Sequence, residues 1–205
     1  MSKLKLMTKK EKKEHIWYYY KYHIIFGILA LMFVGVLIKD TINTKNYLYN
    51  ITVITSVESQ EKLDDFQGEL TEYILGEKDG KDQIGVDKYN PSLNSESQYE
   101  LSPTENEAFM VRFGSSAIDL ILIKKNMFDG LVSNDAMLNL NDIDGFNIED
   151  YENKGYEKID NYGIDISSSK KLKEIGLDTN DLVLCVSSNS EHSQYTLDLI
   201  KYILN

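Results

Sequence analysis

The chain is 205 residues long, carries 33 Asp and Glu against 22 Lys and Arg for a formal net charge of −11, and holds one cysteine and two prolines. That balance repels nucleic acid and anionic lipid headgroups, so no nucleic-acid partner is expected, and a lone cysteine excludes a disulfide-built fold while suiting an oxidising exterior. With few prolines and no internal repeat, one ordinary globular domain is expected beside any membrane segment.

Ile24 to Ile38 reads IIFGILALMFVGVLI without a charge, shorter than the ~20 residues with which a helix crosses a ~30 Å hydrocarbon core. Trp17, Tyr18, Tyr19, Tyr20, Lys21 and Tyr22 precede it. Their rings settle at the headgroup level and the lysine can snorkel. Residues 16–38 are therefore expected to form a single-pass transmembrane helix with those six residues as its interfacial belt. Residues 1–23 hold seven lysines against two glutamates, +5, which leaves −16 on the remainder. The positive-inside rule then assigns residues 1–15 to a basic cytoplasmic tail. No small-x-small cleavage site follows Ile38, and the only cysteine is the distant Cys185, so an uncleaved signal anchor in the cell membrane is expected. Residues 39–49 read as a short polar tether and residues 50–205 as an extracytoplasmic domain.

Within the domain, Ile51-Thr52-Val53-Ile54-Thr55 is β-branched and predicts a strand, followed by a helix with Leu63, Phe66, Leu70, Tyr73 and Ile74 on one face. Residues 76–81 break it, and Gln83 to Tyr89 predicts a second strand ending at Asn90-Pro91. After a polar loop over 92–101, Ser102-Pro103-Thr104-Glu105 combines a serine cap, proline at the first helical position and a glutamate able to bond back to the serine amide. That helix stops near Gly114. The run Ile118 to Ile123 predicts a strand covered on both faces, Met127, Phe128 and Leu131 a helix, and residues 136–140 a short apolar segment. Residues 162–166 and 181–187 predict two more strands, with helical turns over 169–175 between them and a closing helix over 190–204. Cys185 sits in the buried strand as a small hydrophobe. Alternating strands and helices predict an α/β domain with a mostly parallel sheet.

This order of pieces resembles the extracellular solute-binding proteins that serve bacterial importers. The resemblance rests on the first strand ITVIT, on Ser115-Ser116-Ala117-Ile118-Asp119-Leu120-Ile121-Leu122, on Met127-Phe128 through Met137-Leu138-Asn139-Leu140, and on the Tyr162-Gly163-Ile164 and Val183 to Leu204 tail. The front WYYYKYHIIFG is similar to that of small single-pass proteins of Gram-positive bacteria. Such a likeness implies one solute-binding lobe where the family has two. In open parallel sheets ligands sit beyond the carboxyl ends of the strands, which makes Ser56, Glu58, Tyr89, Asn90, Ser187 and Asn189 the candidate ligand-binding residues. Turn and cap chemistry is the plainer reading of the same residues.

Catalytic signals are missing. Of three histidines, His15 and His23 border the apolar stretch, which leaves His192 alone for any triad or zinc site. Aligning Gly145 with the glycine of a calcium loop puts Leu140 and Tyr151 where carboxylates are needed, so no metal is expected. No phosphate-binding glycine motif occurs, so no cofactor is expected. The sequence thus points away from an enzyme. It points to a membrane-tethered binding or sensor module, accessory to a transporter or other membrane complex and taking a small extracellular ligand. A structural subunit of a membrane protein assembly, bound to a membrane-protein partner, is the alternative.

Overall fold

The computed structural model describes residues 8–205. They form two compact units, divided between Thr44 and Lys45, and the first seven residues of the expected tail lie outside the description. The first unit is one helix, α1 (Lys9–Asn43). Its stretch Trp17–Lys39 is long and apolar enough to cross a membrane, and none of it is buried in protein. At 3.6 residues per turn, four consecutive aromatics at 17–20 circle the helix instead of forming a stripe on one side. The Lys21 ammonium lies 5.0 Å from the centre of the Tyr22 ring.

The second unit is built on a six-stranded sheet. Its elements are β1 (Asn46–Ile54), α2 (Gln60–Leu75), β2 (Asp82–Tyr89), a small hairpin of β3 (Ser92–Leu93) and β4 (Tyr99–Glu100), α3 (Pro103–Gly114), β5 (Leu120–Lys124) and α4 (Lys125–Val132). There follow the short helix α5 (Glu149–Glu152), β6 (Glu157–Ile159), β7 (Gly163–Asp165), α6 (Lys170–Glu174), β8 (Leu182–Val186) and α7 (Ser193–Leu204). Little of the segment expected to be a tether is free chain, because α1 runs to Asn43 and β1 starts at Asn46.

Strand order is β2-β1-β5-β8-β7-β6. The first three strands are parallel, but β8 runs antiparallel to both β5 and β7, and β6 antiparallel to β7. The sheet is therefore mixed, and the expectation of a mostly parallel one is corrected. Two features impose the reversal. β6 and β7 are joined by a tight turn in which Asp160 and Asn161 both take positive φ, 49° and 66°, the backbone of the commonest hairpin turns. No full crossover helix separates β7 from β8; the chain returns through the five-residue α6, from Lys170 to Glu174. Gly163 permits close packing of this half, since a Cβ there would stand 2.6 Å from Val183 Cγ1 and 2.7 Å from Phe128 Cζ.

Period-two alternation splits the core between the two faces of the sheet. Leu120 and Leu122 of β5 and Leu182, Leu184 and Val186 of β8 face α2 and α7, which bring Leu63, Phe66, Leu70, Leu199, Ile200 and Ile203. Ile121, Ile123, Val183 and Cys185 face the other way, onto Phe109 of α3 and Phe128 of α4. The serine cap at Ser102 forms as read, with Glu105 N–H donating to its Oγ and the glutamate bonding back. The outer edge of β2 is blunted by α2: Ile84 N–H donates to Thr71 Oγ1 at 3.2 Å and Val86 N–H to Gln67 Oε1 at 3.1 Å.

Candidate functional site

At the carboxyl ends of β1 and β5 the chain has placed its own backbone. Ser56 C=O accepts from Asp178 N–H at 2.9 Å, and Glu58 N–H donates to Gly176 C=O at 2.8 Å. Thr55 Oγ1 donates to Asp178 C=O at 2.7 Å. Gly176 has φ +88°, and a Cβ there would lie 2.8 Å from Glu58, so only glycine fits this approach.

Lys124, the last residue of β5, is fully buried at the same edge. Its Nζ donates to Asp178 Oδ2 at 2.8 Å, to Asn180 C=O at 2.7 Å and to Asp178 C=O at 3.2 Å, and it stands 4.8 Å from the Tyr99 ring centre. Three donors and three acceptors make a closed ionic clasp that fixes residues 178–180 on the sheet. Burial alone would raise the Asp178 carboxyl, but the bonds from Lys124 and from Asn180 N–H outweigh it and hold the group below its ordinary value.

The candidate ligand-binding residues fall at both ends of the sheet. Ser56 and Glu58 lie beside Tyr89 and Asn90, because β1 and β2 are parallel and Ile54 pairs with Tyr89. Glu58 is taken by Lys62 at 2.5 Å, the Tyr89 ring is packed edge-on to Phe109, and Asn90 N–H bonds Glu105 at 3.4 Å. Ser187 and Asn189 sit at the opposite end, since β8 runs the other way. There Ser187 Oγ bonds Asn189, whose amide donates to Phe113 C=O at 2.7 Å.

That opposite end contains a second polar lock. Asp119 is fully buried. Its Oδ2 accepts from Asn50 N–H at 2.8 Å, and its Oδ1 accepts from Ser190 Oγ at 2.5 Å and meets His192 Nδ1 at 3.0 Å. Serine and histidine thus converge on one carboxylate oxygen, with the serine donor spent on the aspartate. A nucleophilic relay instead runs serine to histidine to aspartate. Among the described residues no group of three or more His, Cys, Asp or Glu is placed to hold a metal ion.

The accessible concavity is elsewhere. A groove of about 850 Å³ lies between α3 and α4, floored by Ile123 and Phe109 and closed at one end by Tyr99 and Leu101. Met110 and Phe113 form one wall, Met127 and Leu131 the other. Met110, Asn106, Gly130 and Asn134 of its lining are exposed, so it is an open trough and not an enclosed cavity. The hairpin that ends it is tied down by Asn126, whose amide donates to Tyr99 C=O at 2.8 Å. None of the residues singled out from sequence for binding lines this groove.

No protein-family model matches the chain, and comparison with curated proteins and with solved structures gives no match.

Proposed function

We propose that this chain is a single-pass, membrane-anchored extracytoplasmic binding module, with its basic front in the cytoplasm, that serves a membrane complex by engaging a partner in the groove between α3 and α4. The groove carries the reading: open apolar concavities lined by a few polar groups are where soluble domains take partners or ligands. The apolar stretch of α1 and the lysines before it support the anchor and its orientation. A small solute at the carboxyl edge of the sheet is the less favoured reading, because residues 176–178 take the backbone groups of Ser56 and Glu58 there. The aromatic ring at 17–20 favours an interfacial belt over a partner-facing helix stripe, which leaves recognition to the domain.

A photoreactive side chain at position 110, in the groove, is compared in intact membranes with one at position 61, exposed on the helix that covers the other face of the sheet. A discrete adduct at 110 and none at 61 is expected. Equal labelling at both positions, or none at 110, overturns the proposal.

A further inference from the structure

We infer that the occupant of the groove is a cationic amphipathic helix of a partner protein, an inference that rests on the binding-module reading and assigns the chemistry of its partner. Apolar floor and acidic rim supply the argument. Glu100 lies in the lining itself. Glu107, one turn from both Pro103 and Met110 on α3, flanks the lining, and Asp135 stands between Asn134 and Ala136; all three carboxylates are exposed. The lining holds no lysine or arginine. Lys125 is the cation on the α4 side, and it is drawn 3.9 Å from Asp129. Arg112, on α3, is engaged with Asp87 of β2.

Shape agrees with charge. Helix α3 has 12 residues and α4 eight, about 18 Å and about 12 Å at 1.5 Å per residue, so the trough accepts about two to three turns of helix laid lengthwise. Such a ligand inserts side chains at i, i+3 or i+4, and i+7. Met110 and Met127 on facing walls supply the unbranched, adaptable side chains suited to gripping aliphatic anchors. Lysines flanking that apolar stripe would meet the rim carboxylates, and the charge of −16 beyond residue 23 attracts such a ligand while repelling anionic lipid.

The test uses the full chain in phosphatidylcholine nanodiscs and labelled peptides of about fourteen residues, patterned as amphipathic helices, one of leucine and lysine and one of leucine and glutamate. Fluorescence anisotropy is read after subtracting empty discs. The leucine–lysine peptide is expected to bind saturably, and roughly tenfold more weakly when Glu100→Lys and Glu107→Lys are combined. Gly130→Trp should abolish binding: a Cβ there meets nothing within 4 Å, so the indole enters the groove without displacing the fold. Met110→Lys, at an exposed position, should act the same way if Gly130→Trp fails to fold. Equal binding of the leucine–glutamate peptide overturns the cationic assignment and leaves the groove standing. Leucine–lysine binding that survives both groove variants overturns the inference, since the acidic surface at large would then hold the peptide. It also falls if neither peptide binds, or if dodecanoate alone fills the groove, and the crosslinking comparison separately reports whether a partner is met there.

Discussion

Removing either member of the Lys124–Asp178 pair breaks the same ionic contact, yet the two losses should differ in size. The lysine side chain is 1% exposed and the aspartate 31%. Asp178→Ala leaves an ammonium in a dry site with only the carbonyls of residues 178 and 180. Stripping one partner from a buried pair costs about 3–5 kcal/mol, and the surviving carbonyl contacts place this case near ~3 kcal/mol. Lys124→Met keeps the volume and removes the charge. The aspartate then turns to water, and the loss is that of hydrogen bonds to a loop, about 1–2 kcal/mol. The difference, ~1–2 kcal/mol, is read as a shift in the midpoint of urea unfolding, with the chain in mild detergent. Near-ultraviolet dichroism of the tyrosines is the suitable signal, because the single tryptophan, Trp17, lies in α1 and not in the domain. A methionine variant as damaged as the alanine variant would refute the reasoning, since desolvated charge would then not be the dominant cost.

Acid should act on the same clasp. A carboxyl whose folded value is depressed contributes stability above its unfolded value and loses it as pH falls through the folded one, so Asp178→Asn should flatten the decline of stability below about pH 4. Unchanged acid unfolding in that variant would count against the assignment. Thr71→Val removes the acceptor of Ile84 N–H and is expected to cost about 1–2 kcal/mol and to raise self-association in light scattering as the β2 edge opens. Thr52 Oγ1 is buried without a hydrogen-bond partner, so Thr52→Val should stabilise the domain by about 1 kcal/mol in the same urea titration.

Legibility in the sequence followed locality. The cap of α3, the apolar runs of β1, β5 and β8 and the face of α7 were readable because each depends on neighbours along the chain. The direction of β8 was not: LVLCV reads alike in either sense, and its polarity is set by pairing with β5 and with the β6–β7 hairpin. β6, Glu157-Lys158-Ile159, is a short charged edge strand with no apolar signal. That missed reversal is why Ser187 and Asn189 were grouped with Ser56 and Tyr89, although the sheet holds them apart. Lys124 and Asp119 each left a faint trace as a charge at the end or inside an apolar run, but their partners lie 54 and about 70 residues away. The groove was illegible because it arises from the gap between two helices that sequence places correctly one at a time.

The strand that receives the chain from α1 is interior to the sheet. β1 is held on one side along Asn46 to Ile54 by β2 and on the other along Ile51 to Ile54 by β5. A pull applied at the amino end of β1 along the strand would load two rows of hydrogen bonds sideways, all at once. Bonds arranged in this shear geometry must fail together instead of unzipping singly, which makes the amino end of β1 the mechanically resistant end of the domain.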